Sequence, residues 1–120
     1  MAIDADVYST LKYKVVVDEY GARRHFNGMG QLHCEDGPAV VWADGTKEWW
    51  QNDQRHRIDG PALIWAEGSE FWYQNGVLHR EDGPAVEYAR SGGTYWFLFG
   101  VRHSRLQHQR KVKEIKRAVT

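Results

Sequence analysis

The residues with chemistry in them are three histidine–aspartate rungs. His33 and Asp36, His56 and Asp59, and His79 and Asp82 are three residues apart within a rung, and the rungs recur every 23 residues. An imidazole beside a carboxylate could ligate a metal or relay a proton. One rung, however, supplies two ligands where zinc takes three or four. Equivalent residues one hairpin apart lie two strand spacings away, roughly 9–10 Å, a gap that zinc–ligand bonds of about 2.0–2.2 Å do not span. Each His is therefore expected to hydrogen-bond a nearby carboxylate or backbone group and so fix the connecting turn. No metal and no cofactor are expected.

Cys34 follows His33 and could act as a nucleophile. It falls in the column filled by Arg57 and Arg80 in the later rungs, so it reads as a neutral replacement. The chain contains no nucleophile elbow, P-loop or glycine-rich dinucleotide fingerprint, and the expectation is a protein that is not an enzyme. A single cysteine excludes a disulfide framework.

The elements that must position these residues come from a repeat. Asp-Gly-Pro-Ala occurs at 36–39, 59–62 and 82–85, and His103 follows His79 after 24 residues because the turn "ARSGG" is one longer than "ADGT" or "AEGS". A degenerate copy, "KVVVDEYGARRHFNGMGQLH", precedes the three full ones. Units of this length are single supersecondary elements that stack on their neighbours. Each reads as a β-hairpin: Ala39–Ala43, then Asp44-Gly45 as a two-residue turn, then Thr46–Gln51. Glu67-Gly68 takes the same role one copy later, and Asn52-Asp53 and Asn75-Gly76 mark the opposite turns. Pro38, Pro61 and Pro84 sit at strand starts, where a missing N–H is tolerated. The fold class is all-β, an elongated antiparallel meander of hairpin repeats ending in a short basic α-helix.

With a two-residue turn, Val40, Trp42, Lys47 and Trp49 share one face, and Val41, Glu48 and Trp50 share the other. On the first face Trp42 becomes Trp65 and Tyr88, and Trp49 becomes Trp72 and Trp96. These columns barely change, and the Trp49, Trp72 and Trp96 column is expected to be core. On the second face Glu48 becomes Phe71 and Tyr95, while Trp50 becomes Tyr73 and Phe97. This drifting face (Glu48, Trp50, Phe71, Tyr73, Tyr95, Phe97) is the expected protein-binding surface, because clustered exposed aromatics mark interaction sites.

The string W-x-x-x-N-G/D-x-x-H-x-x-D-G-P-A resembles the MORN repeat, most closely the MORN-like variant of bacterial and bacteriophage proteins, over about residues 31–103. Cys34, Arg57, Arg80 and Ser104 stand where that repeat usually has glycine, and the Pro-Ala is extra. The resemblance implies a protein- or membrane-binding scaffold without catalysis. It further implies, as an expectation, a phage-encoded inhibitor of a host or defence protein.

Charge divides the chain. Lys and Arg equal Asp and Glu at 16 each, yet residues 103–120 carry six basic side chains against one acid, leaving an acidic body. In the tail, His108, Val112, Ile115 and Val119 recur at helical spacing. Such a helix could cap the open sheet end. Its basic residues, Arg105, Arg110, Lys111, Lys113, Lys116 and Arg117, could instead engage nucleic acid or another anionic surface. That is the alternative to the protein-binding reading. The expected organisation is an N-terminal segment with the degenerate repeat (1–30), three hairpin repeats (31–103) and the basic helix (104–120). No signal-peptide pattern opens the chain, and no apolar run nears the about 20 residues of a membrane-spanning helix. A cytoplasmic chain is expected, with a homodimer left open.

Overall fold

The computed structural model describes residues 13–119, so the first twelve residues of the expected N-terminal segment lie outside the described residues. The described chain is a slab of 58 × 38 × 17 Å, all-β with one C-terminal helix. In chain order its strands are β1 (Tyr13–Val17), β2 (Arg23–Asn27), β3 (Val40–Val41), β4 (Lys47–Glu48), β5 (Trp50–Gln51), β6 (Gln54–Arg55), β7 (Leu63–Ile64), β8 (Glu70–Phe71), β9 (Tyr73–Gln74), β10 (Val77–Leu78), β11 (Val86–Glu87), β12 (Thr94–Leu98) and β13 (Val101–His103). Helix α1 spans Arg105–Ala118.

Nine strands form one antiparallel sheet in the order β1-β2-β3-β4-β7-β8-β11-β12-β13, and β5–β6 and β9–β10 form two separate ribbons. The first two full copies thus each give one hairpin to the main sheet and then a second, smaller hairpin, whereas in the third β12 runs on to pair with β13 within the main sheet. The chain leaves the strand conformation at Trp49 and Trp72 between the two. The second hairpins close through the expected two-residue turns, Asn52-Asp53 and Asn75-Gly76, whose φ values are 48° and 66°, then 51° and 83°. Asparagine, aspartate and glycine are the residues that tolerate this left-handed backbone.

The main-sheet hairpin departs from the expected register. Val40 pairs with Glu48 and Val41 with Lys47, and the Trp42 N–H donates to the Thr46 carbonyl. The loop is therefore three residues, Ala43-Asp44-Gly45, with Gly45 at φ 94°. A glycine in the left-handed region after a type I turn is the common way to close a three-residue hairpin. One added loop residue shifts the pairing by one and moves the whole second strand to the other face. Glu48, Phe71 and Tyr95 accordingly join the face of Val40, Leu63 and Val86 rather than opposing it.

The core follows from that register. Leu63, Phe71 and Val86 are buried together, with Tyr73, Leu78, Tyr88, Tyr95 and Phe97 packed around them. Ala39, Ala62 and Ala85 are fully buried. The histidine ladder rivets successive copies as expected of a structural role. The Nδ1 atoms of His33, His56 and His79 accept the backbone N–H of Asn52, Asn75 and Phe99 at 3.1, 2.9 and 2.9 Å. Thr46 and Ser69 add a second set of rivets, their hydroxyls accepting the N–H of Ala66 and Ala89.

Ser104 caps α1 through a reciprocal capping box with Gln107. The helix docks on β12 and β13 with His108 and Val112 buried. His108 Nε2 lies 2.6 Å from the Arg80 carbonyl oxygen. Val119, the last residue of the expected stripe, is exposed.

A tryptophan groove as candidate protein-binding site

Trp42 and Trp65 occupy equivalent positions next to the main-sheet turns of the first two full copies. They are 39% and 41% exposed, and they line a groove of about 680 Å³ with Ala43, Asp44, Thr46, Ala66 and Glu67. Both indoles are held from beneath. The Trp42 Nε1–H donates to the Glu48 carboxylate, and the Arg24 guanidinium lies 5.0 Å from the indole ring. Trp65 packs on the Phe71 ring at 4.7 Å and on Tyr88 at 6.1 Å. Anchored rings lose little freedom on binding, which favours their use in recognition.

The groove is acidic at its rim. Asp44 accepts the Thr46 N–H and Glu67 the Ser69 N–H, each two residues on. The Thr46 backbone bond holds the Asp44 carboxyl below its ordinary value, and the Ser69 hydroxyl and then its backbone N–H do the same for Glu67. Both are thus charged at neutral pH. Apolar indole beside fixed carboxylates suits an aliphatic or cationic protein side chain.

The six residues expected on the open aromatic face lie elsewhere. Glu48 is buried, paired with Arg55 at 2.8 Å and accepting the Trp50 indole N–H at 3.2 Å. Phe71 is core. Trp50 and Tyr73 are half-buried beneath the Arg55 guanidinium at 5.0 and 5.5 Å. Tyr95 stacks edge-on against Tyr88 at 5.8 Å under Arg102, and Phe97 packs on the core. The one-residue register shift accounts for all of this: the drifting columns drift because each copy fills its interior differently. The steadier Trp42 column is the one that opens to solvent. The Trp49 column is half-buried rather than core, because arginines cover it: Arg57 lies 4.1 Å over Trp49, Arg80 3.9 Å over Trp72 and Arg105 5.6 Å over Trp96.

The tail's basic residues are divided. Arg105 is held against Trp96. Lys113 and Lys116 line a groove with Glu81 and Asp82, Lys111 lies 3.6 Å from Glu114, and Arg110 and Arg117 are exposed. Among the described residues no group of three or more His, Cys, Asp or Glu is placed to hold a metal, and no helix is long and apolar enough to cross a membrane.

No family model, curated protein or solved structure matches the chain. The groove turns on how Ala43-Asp44-Gly45 and Ala66-Glu67-Gly68 close their hairpins, a choice for which the sequence carries no signal. As three-residue loops they pair Val40 with Glu48 and Leu63 with Phe71 and put Trp42 and Trp65 directly beside the turns.

Proposed function

We propose that this chain is a non-enzymatic protein-binding module whose contact surface is the groove between Trp42 and Trp65. The observation that carries the reading is the pair of large indoles, each about two-fifths exposed, side by side on a rigid sheet. Tryptophan is enriched among the residues that dominate binding energy at interfaces, and exposed aromatic patches on a folded body mark contact sites. The repeat gives the surface its stiffness, because each copy is riveted to the next through the histidine ladder. The MORN-like resemblance supports the same class of role. The narrower role it implies, a phage-encoded inhibitor of a host or defence protein, is binding of this same kind.

The alternative, binding of nucleic acid through α1, has less support. Lys113 and Lys116 lie beside Glu81 and Asp82, and Arg105 covers Trp96, so part of the tail's charge is already matched within the chain. Affinity capture from nuclease-treated bacterial lysate, washed at high salt, separates the two readings. A stoichiometric protein retained by the parent chain and lost from Trp42→Ser/Trp65→Ser supports the groove. Retention that needs nucleic acid and low salt, and is lost on replacing Arg110 and Lys111 by Gln, supports the helix.

A further inference from the structure

The second and third full copies share an internal arginine seat. The Arg57 Nη1–H donates to the Pro61 carbonyl at 3.1 Å, Nε faces Asp59 Oδ1 at 3.5 Å, and the guanidinium lies over Trp49. Arg80 repeats this with the Pro84 carbonyl at 3.1 Å, Asp82 Oδ1 at 3.0 Å and Trp72. A glycine makes room in both. A Cβ on Gly60 would lie 2.6 Å from the Arg57 Cζ, and one on Gly83 would lie 2.7 Å from the Arg80 Cζ.

The first full copy keeps the seat and lacks the arginine. Asp36, Gly37 and Pro38 stand where Asp59, Gly60 and Pro61 stand one copy on, and the residue at the arginine position is Cys34. A Cβ on Gly37 would meet nothing within 4 Å. In the ring position stands His25. Its N–H donates to the Ala39 carbonyl as the Trp49 N–H donates to that of Ala62. A cavity of about 370 Å³ opens here, lined by Val15, His25, His33, Cys34, Glu35 and Asp36. Two exposed carboxylates, Glu35 and Asp36, flank it. The Cys34 thiol, whose pKa burial raises, donates to Asp36 Oδ1 at 3.3 Å. It adds no cation of its own to the seat.

We propose that this vacant seat binds a guanidinium from outside the chain, the arginine side chain of a protein partner. The copy keeps the aspartate two residues on, the bare glycine and the proline at the same sequence positions, and an imidazole stands where the sibling copies have their aromatic floor. Guanidinium is the fitting cation because the seat combines a planar stacking surface with in-plane acceptors, which a lysine ammonium does not match. That the arginine comes from a protein rests on the protein-binding role proposed above; the seat's preference for guanidinium does not.

The test is titration of the ¹⁵N-labelled full chain with Nα-acetyl-arginine methylamide and, separately, its lysine counterpart, at constant ionic strength. The expected result is a saturable shift of the Gly37 amide with the arginine compound and a shift at least several-fold weaker with the lysine compound. His25→Trp gives the seat the floor of its sibling copies and is expected to tighten binding roughly threefold. Cys34→Arg, which fills the seat from within, is expected to abolish the shift. Should that variant fail to fold, Asp36→Asn at an exposed position is expected to weaken binding in its place. Equal response to both compounds, no saturable shift at Gly37, or binding unchanged in both Cys34→Arg and Asp36→Asn would overturn the proposal. A positive titration in a chain whose groove captures no partner would leave the seat standing and remove only the protein as its source of arginine.

Discussion

The guanidinium of Arg80 lies 3.9 Å above the ring of Trp72, and this stacked pair accounts for why the Trp72 column is neither core nor open surface. The arginine covers the ring while its Nη1–H reaches the Pro84 carbonyl, so one side chain closes both the indole face and the turn that begins the next copy. Arg80→Ala removes the stacking and a charge-assisted hydrogen bond together. The expected loss is about 2 kcal/mol, read as a fall in the urea midpoint at unchanged slope. Arg80→Lys is expected to recover less than half of it, because an ammonium lacks the planar fork.

Glycines in the Asp-Gly-Pro-Ala motif respond unequally to the same substitution. Gly83→Ala drives a methyl into the Arg80 guanidinium and is expected to lower stability by about 1–2 kcal/mol, as overpacking does. Gly37→Ala meets open space and is expected to be neutral or slightly stabilising. Thermal unfolding of the two variants side by side checks the difference. Equal effects would mean that the glycines are held by backbone conformation and not by the arginine seat.

The first copy carries a buried ion pair where the second carries hydrocarbon. Glu48 faces Arg55 at 2.8 Å, while the matching positions one copy on are Phe71 and Leu78, both in or against the core. Arg55→Leu alone strands the Glu48 carboxylate and is expected to cost about 2 kcal/mol, less than a fully buried pair would, since Arg55 remains partly exposed. Glu48→Phe with Arg55→Leu copies the sibling solution and is expected to restore stability to within about 1 kcal/mol of the parent. A double-mutant cycle in urea measures the coupling.

Acid should loosen the third copy through Asp82. Its carboxyl is held below the ordinary aspartate value, first by the Arg80 side-chain hydrogen bond. A depressed folded pKa gives stability that is fully present above the unfolded value and lost as pH falls through the folded one. The parent is therefore expected to lose an increment below about pH 4. Asp82→Asn, lacking that increment throughout, should show a shallower decline between about pH 4 and pH 2. Parallel acid limbs for the two proteins would remove Asp82 from the account.

Much of the fold could be read from spacing alone. The 23-residue interval, the proline positions and the Asn-Gly and Asn-Asp turns define an antiparallel array of hairpins, and the i, i+4, i+7 stripe of the tail predicts a docked helix. The candidate site was not legible, for one physical reason. Asp-Gly closes a two-residue hairpin and Ala-Asp-Gly a three-residue one, and nothing within the tripeptide decides between them. The period of a strand is two, so that single residue put Phe71 on the buried face of Leu63, the face that Trp42 and Trp65 already share and on which they stay partly exposed beside the turns. Steadiness of a column between copies then misled as well. Trp42 and Trp65 are alike without being buried, and Glu48, Phe71 and Tyr95 differ because each copy solves its own interior.

The measurement that tests the central claim most directly follows the six tryptophan indole N–H signals of the ¹⁵N-labelled chain as the captured partner protein is added. The account predicts that the Trp42 and Trp65 signals shift or broaden together and saturate, while Trp72, beneath Arg80, stays in place. Perturbation confined to Trp50, or to the amides of α1, with Trp42 and Trp65 unmoved, would contradict it.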